Sequence, residues 1–431
     1  MGASRPYREQ PIRQRCSQAA VALTCALLAG SCGADEEAVV PEPDTEAALF
    51  TTGLDALLAA DCATLAGRRI GLVVNNAARN AAGEPAWGLL AAAENVELVR
   101  LYSPEHGLGA DRSGAVGDTV EPATGLEIVS LYGERRAPDP AGLADLDALV
   151  YDLPDVGVRF YTYTSTLYLC LEACREAGIP LVVLDRPNPL GNTVSGPLPP
   201  GVADSFVGKL PLPVRYGLTP GETARWIAGE LLPGAEVEVA PLTGYDPATY
   251  LDAQTPAPPW RPTSPNLPRL AGVVCYPGTG LFEPTNLSVG RGTERPFEVL
   301  GAPWLDAVGL RDVWTENCPG ADYRVVAFTP RAPSDGKHTA ATCRGVEISL
   351  NDRDAFDPLR LAAYGYAYLG RRHPDRTRPQ TTFLRAMLGD DALGRVFAGE
   401  LEPAVLLDTW AADAAAFAEQ RRPYLLYTET P

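Results

Sequence analysis

Short apolar runs alternate with helical patterns through the first half of the chain, and this alternation constrains the fold more than any other feature. Each run has the length and the β-branched content of a buried strand, and most of the runs end in polar or turn-forming residues. Strands that alternate with helices form βαβ units and a mainly parallel sheet. The sequence therefore predicts an α/β fold with strands at 69–74, 96–102, 127–131, 148–151, 181–184 and 236–240.

A smaller α+β domain is predicted for the rest of the chain, because proline crowds residues 256–268 and the patterns beyond them are less regular. We place the domains at 48–267 and 268–431. The elements predicted in the second domain are strands near Val273, at 324–328 and at 345–350, and helices at 358–369, 381–388 and 404–419.

Residues 1–32 have the pattern of a lipoprotein signal segment, in which arginines precede a short apolar stretch and the box Ala29-Gly30-Ser31-Cys32. We expect cleavage before Cys32 and lipid attachment to its thiol. The protein would then be exported and anchored to a membrane of the cell envelope, facing the periplasm or the outer membrane. An ordinary secretory signal or a weak membrane anchor is the alternative. Residues 33–47 are acidic and are predicted to form a linker.

The formal net charge of −18 argues against a nucleic acid partner, because binding to a polyanion requires a basic surface. Three of the nine cysteines fall within residues 1–32, and the other six lack the spacing of a zinc site. We expect most of these six to be buried free thiols. No metal or cofactor is expected, since no G-x-G-x-x-G motif follows the first strand and no Walker-type loop is present.

Four carboxylates come just after predicted strands, namely Glu105, Asp152, Asp155 and Asp185. Ligands of α/β sheets bind at the carboxyl ends of the strands, so these groups are predicted to share a cleft. Two carboxyl groups of unequal pKa, one protonated and one ionised, can cleave a glycosidic bond. Each acid could instead cap a helix or pair with an arginine. His106 is predicted to hydrogen-bond the substrate or to orient Glu105, and not to bind a metal.

Arginine is suited to bidentate capture of a carboxylate, and four arginines lie in motif-like stretches. They could equally pair with the acids. Tyr161 and Tyr163 alternate, so we expect only one of them to face the cleft, where its ring could pack on a sugar. The candidate substrate-binding residues are Asn75, Arg159, Tyr161, Tyr163, Arg186, Asn188, Glu283, Asn286, Arg291 and Arg295.

Ordered motifs in both halves carry a resemblance to a known family. The motifs include Ser103-Pro104-Glu105-His106-Gly107, Asp155-Val156-Gly157-Val158-Arg159, Leu184-Asp185-Arg186-Pro187-Asn188-Pro189 and Glu283-Pro284-Thr285-Asn286. With them, the chain resembles the exo-β-N-acetylmuramidases, NamZ-like glycoside hydrolases formerly known as a domain of unknown function. The resemblance implies a Rossmann-like catalytic domain at 48–267 and a C-terminal α+β domain that completes the cleft. It also implies release of terminal N-acetylmuramic acid from the non-reducing ends of peptidoglycan fragments.

The leading hypothesis is therefore an exo-acting glycosidase of cell-wall turnover or recycling, whose partner is a peptidoglycan-derived oligosaccharide or muropeptide. Two alternatives stay open. One is a sugar- or muropeptide-binding lipoprotein without turnover, because the chain has Gly107-Leu108-Gly109-Ala110 where family members often carry an arginine. The other is a hydrolase of another glycoside, because cleft carboxylates alone do not define the sugar.

Overall fold

The structure is a computed structural model, and it describes residues 49–114 and 116–428. The predicted signal segment, Cys32 and the linker at 33–47 lie outside the described residues. Within the described residues, no helix is long and apolar enough to cross a membrane. The six cysteines after residue 32 are all buried and free, as predicted.

The N-terminal part of the described chain is built on a seven-stranded sheet. Its strands are β1 (Arg69–Val74), β2 (Glu97–Ser103), β3 (Thr119–Val120), β4 (Glu127–Ser130), β5 (Ala148–Asp152), β6 (Leu181–Leu184) and β7 (Val237–Ala240). Their order is β3-β4-β2-β1-β5-β6-β7; β3 is antiparallel to β4, and the other pairs are parallel. The predicted α/β fold is confirmed, and the carboxyl ends of the parallel strands meet at one edge.

Helices cover both faces of this sheet: α1 (Gly53–Ala59), α2 (Ala86–Ala92), α3 (Tyr163–Ala177) and α4 (Pro220–Glu230). Alternate residues of β1 point to opposite faces, since Val73 packs in one hydrophobic cluster and Leu72 and Val74 pack in the other. The first cluster also contains side chains of α3 and α4, and the second contains side chains of α1 and α2. The run at 181–184 is apolar throughout because a strand covered on both faces has no exposed side.

The C-terminal part contains a three-stranded antiparallel sheet and helices, so the predicted smaller α+β unit is also confirmed. Its elements are α5 (Leu270–Thr279), β8 (Val299–Ala302), α6 (Ala307–Asn317), β9 (Ala321–Phe328), β10 (Cys343–Leu350), α7 (Pro358–Arg372), α8 (Thr381–Leu388), α9 (Ala392–Phe397) and α10 (Pro403–Arg421). The sheet order is β8-β10-β9. One core cluster runs from Tyr151 and Trp226 to Trp314 and Tyr366, so both parts share it. The boundary between residues 267 and 268 stays a prediction.

The strand predicted near Val273 is wrong, because this residue lies in α5. The run from Leu270 to Tyr276 is apolar and contains two adjacent valines, which is typical of a buried strand. A helix buried on all sides is also apolar all round, and periodicity cannot separate the two. The described residues of α5 from Gly272 to its end are all buried.

Close packing of α5 on α7 leads to a stability prediction. A Cβ atom on Gly278 would overlap the backbone carbonyl oxygen of Pro358, which begins α7. We expect Gly278→Ala to lower the free energy of unfolding by about 1 to 3 kcal/mol, as overpacking does elsewhere. The matched control is Gly394→Ala in α9, where the nearest atom would lie 3.8 Å away. Helix propensity predicts a gain of about 0.5 to 1 kcal/mol for the control. Urea denaturation measures both, and equal stability of the two variants would contradict this account.

Candidate active site

A cleft of about 570 Å³ lies between the carboxyl ends of the parallel strands and the C-terminal part. The loop after β2 and the segment after β5 form one wall, and residues 264–267 line it as well. Residues 283–297, 334–337 and 380–387 contribute from the C-terminal part. Its charged and histidine side chains are those of Glu105, His106, Glu283, Arg291, Asp335 and Lys337.

Glu105 follows β2 and turns into the cleft because the next two residues have left-handed backbone conformations, with φ of 74° at His106 and 71° at Gly107. The Thr162 hydroxyl donates to its Oε2 atom at 2.7 Å, and Tyr132 lies beside it in the cleft wall. Neither residue carries a positive charge, and no ion pair involves Glu105 in the described part of the chain. A hydrogen bond therefore holds this half-buried carboxyl group in place, but no cation is paired with it.

His106 is a neutral hydrogen-bonding group at the edge of the same cleft. Its Nδ1 atom lies 2.7 Å from the carbonyl oxygen of Arg112, and a carbonyl only accepts, so Nδ1 carries the proton. Burial lowers the pKa of His106, although the neighbouring Glu105 charge opposes this shift. The ring is therefore neutral at neutral pH and its Nε2 atom can accept a hydrogen bond.

Two cations face the cleft from the C-terminal part. Arg291 Nε donates to Glu283 at 2.6 Å and Nη1 donates to Ser334 at 3.1 Å. Lys337 Nζ donates to the carbonyl oxygen of Glu283 at 2.7 Å and lies 3.5 Å from Asp335. Burial lowers the pKa of Lys337. Burial also acts to lower the pKa of Arg291, but Glu283, Tyr276 and Asp335 together raise it.

Of the two alternating tyrosines, Tyr161 lines the cleft and Tyr163 lies behind it, so only one faces the cleft, as expected. The Tyr161 hydroxyl donates to Thr263 Oγ1 at 2.7 Å. The Tyr163 hydroxyl accepts from Asn75 Nδ2 at 2.7 Å and contacts the carbonyl oxygens of Thr263 and Glu105 at 2.9 and 3.2 Å. Asn75 thus supports the wall of the cleft from below and does not line it.

The four predicted carboxylates do not share this cleft, which only Glu105 of the four lines. Asp152 is fully buried in a bidentate salt bridge with Arg186, with N–O distances of 2.6 and 2.8 Å. Asp155 accepts from the Gly157 amide and the Tyr216 hydroxyl, and burial raises its pKa to about 6. These acids follow strand ends as predicted, but their side chains point into the protein or towards another cavity.

Asp185 is a structural acid at the start of α4. It accepts from the Thr219 hydroxyl, the Gly221 amide and the Tyr427 hydroxyl, at 2.8, 2.8 and 2.6 Å. Burial raises its pKa to about 7 against the opposing effect of these donors. The side chain is fully buried and does not line the cleft.

Several predicted binding residues instead hold loops in place. Arg159 donates to the carbonyl oxygens of Leu210 and Gly208 at 2.8 and 2.6 Å, and also to that of Met387. Asn188 and Asn286 each donate a side-chain hydrogen bond from Nδ2 to a backbone carbonyl oxygen and accept one at Oδ1 from a backbone amide. Arg295 pairs with Glu347 outside the cleft, at 3.2 Å.

A set of functional candidates was missed by sequence reasoning, and Lys337 is the most informative of them. The chain contains only two lysines, Lys209 and Lys337, so its place in a Ser-Asp-Gly-Lys-His turn was an available signal. Thr162 stands in the central motif between the two tyrosines, where its hydroxyl was overlooked. No group of three or more His, Cys, Asp or Glu side chains that could hold a metal occurs in the described ranges.

Family models match most of the chain. The model of the N-terminal part of the exo-β-N-acetylmuramidase NamZ matches residues 70–271, and the model of the C-terminal part matches residues 274–427. The chain belongs to the NamZ exo-β-N-acetylmuramidase family. Membership confirms the family predicted from the motifs and makes this chain a glycoside hydrolase.

Similar proteins agree with membership of the NamZ family. The peptidoglycan β-N-acetylmuramidase NamZ of Bacillus subtilis (strain 168) is 37% identical over 313 residues, which cover 72% of this chain and 74% of that protein. Two crystal structures of DUF1343 family proteins from Bacteroides fragilis NCTC 9343 have TM-scores of 0.80 and 0.68 and identities of 29% and 31%. Each comparison covers 88% of this chain and 99% of the solved chain.

Proposed function

We propose that this chain is an exo-acting hydrolase that releases terminal N-acetylmuramic acid from the non-reducing ends of peptidoglycan fragments, in cell-wall turnover or recycling. The similar Bacillus protein is a peptidoglycan β-N-acetylmuramidase. The observation that carries the proposal is that Glu105, a carboxyl group without an ion pair among the described residues, lines the same cleft as two cations, Arg291 and Lys337. Cleavage of a glycosidic bond uses a carboxyl group as general acid. Binding of an anionic sugar uses positively charged side chains.

Glu105 is assigned as the general acid that protonates the leaving oxygen of the glycosidic bond. Its carboxyl group accepts a hydrogen bond from the Thr162 hydroxyl, which holds it in one orientation. An acid paired with arginine would stay ionised and could not donate a proton. Glu283 and Asp335 are paired with Arg291 and Lys337, so Glu105 is the better donor of the three.

The assignment predicts that Glu105→Gln loses at least about a hundredfold in turnover of a muramyl disaccharide, because the amide cannot supply the proton. Glutamine keeps the hydrogen bond from Thr162, so folding should be preserved. The matched control is Glu134→Gln, which changes an exposed residue close to Tyr132 that does not line the cleft.

Comparison with a p-nitrophenyl muramide sharpens the test. A good leaving group needs little protonation, so the loss should be smaller on this substrate than on the disaccharide. Near-normal activity of Glu105→Gln on the disaccharide would remove Glu105 from the acid role. Tight sugar binding without turnover by the wild-type chain would instead favour a non-catalytic binding protein.

N-Acetylmuramic acid differs from N-acetylglucosamine by a lactyl ether whose carboxylate is ionised at neutral pH. A protein of net charge −18 repels such a sugar unless the cleft supplies local cations. Of the arginines predicted for this role, Arg291 lines the cleft, whereas Arg186 and Arg295 are engaged elsewhere. Lys337 lies beside Arg291, so we assign the lactyl carboxylate to these two side chains.

We therefore expect Arg291→Gln and Lys337→Gln each to weaken kcat/KM for a muramide by roughly ten- to a hundredfold. A charge-assisted hydrogen bond contributes about 1.5 to 3 kcal/mol, which corresponds to this range. Slow turnover of the matching glucosaminide, which lacks the carboxylate, should hardly change. Arg295→Gln is the control, since its guanidinium pairs with Glu347 outside the cleft.

Parallel losses on the muramide and the glucosaminide would mean that Arg291 or Lys337 orders the site and does not recognise the lactyl group. An Arg295→Gln variant with the same muramide-specific loss would place the anion outside this cleft. Either result would require a different location for the carboxylate.

We further propose that the protein is a lipoprotein of the cell envelope, anchored through Cys32. The support is the sequence pattern of residues 1–32, with its arginines, short apolar stretch and Cys32 box. An anchor of this kind would hold the enzyme near cell-wall fragments.

Replacing Cys32 by Ser should move the protein from the membrane to the soluble fraction, because one thiol carries the lipid and two acyl chains are needed for stable anchoring. Fractionation followed by immunoblotting measures this change. Thr45→Ser, which lies in the predicted linker and leaves Cys32 and its box intact, is the control. Recovery of the wild-type chain in the soluble fraction would leave an ordinary secretory signal as the better explanation.

A further inference from the structure

A second cavity, of about 270 Å³, opens at the carboxyl ends of β1, β5 and β6. From β1 the chain adds strands outward through β2 on one side, and from β5 it adds them through β6 on the other, so the strand order reverses between β1 and β5. Ligands of open α/β sheets bind in the crevice at that reversal. The loops after β1 and β5 both line this cavity, whereas the proposed active site begins at the loop after β2.

Three arginines line the cavity, and two of them are fixed. Arg186 is held by Asp152 and donates its Nη1 proton to the carbonyl oxygen of Arg79 at 2.8 Å. Arg79 donates to the carbonyl oxygen of Gly83 at 2.6 Å. A Cβ atom on Gly83 would lie 3.4 Å from Arg261 Nη2, so Arg79 and Arg261 meet at the same turn.

Arg261 and Arg79 are the two lining guanidinium groups without an anion. Among the described residues, no carboxylate forms an ion pair with either of them. Burial lowers the pKa of Arg261, and the charges of Arg79 and Arg186 lower it further, so its surroundings are cationic. A positive group in such surroundings gains most from an external anion.

The rest of the lining defines the kind of anion. Two carboxylates, Asp55 and Asp155, also line the cavity, and Asp152 neutralises Arg186, so three guanidinium groups are balanced by three carboxylates and no positive charge is in excess. That balance suits a monoanion better than a dianion such as phosphate. The remaining wall is largely apolar, with six prolines, Leu251 and Trp260. An apolar body would displace water from this wall while its carboxylate meets the arginines.

The cavity is separated from the active-site cleft by the segment at 256–267. Residues 256–261 line the cavity, and residues 264–267 line the cleft. Trp260 Nε1 donates to the carbonyl oxygen of Leu267 at 3.0 Å, which ties the two ends of the segment together. Thr263, between them, bonds both tyrosines of the cleft wall.

We infer that this cavity is a separate binding site for a small monocarboxylate with an apolar body, held by Arg261 with Arg79 and Arg186. The inference does not depend on the proposed function, because none of these arginines lines the active-site cleft. Phenylacetate has the required chemistry and is smaller than the cavity.

The test measures Kd for 4-fluorophenylacetate by ¹⁹F NMR on the full chain, with the neutral 4-fluorophenylacetamide and inorganic phosphate as comparison ligands. Arg261→Gln removes one of the two guanidinium charges that lack an ion pair, and Ala81→Trp fills the cavity without changing any charge. Arg291→Gln changes the active-site cleft, and Arg371→Gln changes an exposed arginine of α7. Thermal melting verifies that each variant is folded.

We expect saturable binding of the acid, about tenfold or more tighter than that of the amide or phosphate. Arg261→Gln and Ala81→Trp should each weaken it by about tenfold or more, and Arg291→Gln and Arg371→Gln should leave it unchanged. Equal binding of acid and amide, no saturable binding of the acid, or phosphate binding as tight as the acid would overturn the inference. A loss in Arg291→Gln with none in Arg261→Gln would place the probe in the cleft and would overturn it too.

Discussion

The hydroxyl group of Tyr163 is the point on which the geometry of the site depends. It accepts a hydrogen bond from the side-chain amide of Asn75, which follows β1. It also contacts the backbone oxygens of Glu105, which follows β2, and of Thr263, which precedes α5. Three segments far apart in sequence are thereby fixed around one fully buried atom. A buried network in which every polar group is satisfied is rigid, and Glu105 inherits that rigidity through its own backbone. The position of the carboxyl group that we propose as the general acid is set here by a residue that does not line the cleft.

The secondary structure of the N-terminal part could be predicted closely because its signals are local. The run at 69–74 is apolar enough to indicate a buried strand, and Thr219 and Glu222 form a capping box, a local pattern that marks the start of α4. β8, four residues long, and α6 were not predicted, and α5 was predicted as a strand near Val273. Such segments are defined by packing against distant residues, which a short window of sequence does not contain.

The site could be predicted only in part, for a physical reason. Strand ends place polar residues at one edge of the sheet, but the direction of each side chain depends on its partner. Glu105 points into the cleft, whereas Asp185 turns inward to the Gly221 amide at the start of α4. Asp152 forms a salt bridge with Arg186, a buried arginine 34 residues away, and no local sequence pattern predicts that pair. Lys337 reaches the cleft through a turn of the C-terminal part, which only the assembled fold brings near Glu105.

Because the chain contains only two lysines, the amine of Lys337 makes the cleft a selective site for chemical labelling. Side-chain amines react with acylating reagents in their unprotonated form, and burial of Lys337 favours that form. The chain's other lysine, Lys209, lies over the ring of Tyr168 at 5.6 Å and is bonded to a backbone oxygen. An amine-directed reagent that carries a sugar would therefore meet one competing side-chain amine in the whole chain. Covalent labelling could thus report occupancy of the cleft by mass spectrometry, without any engineered tag.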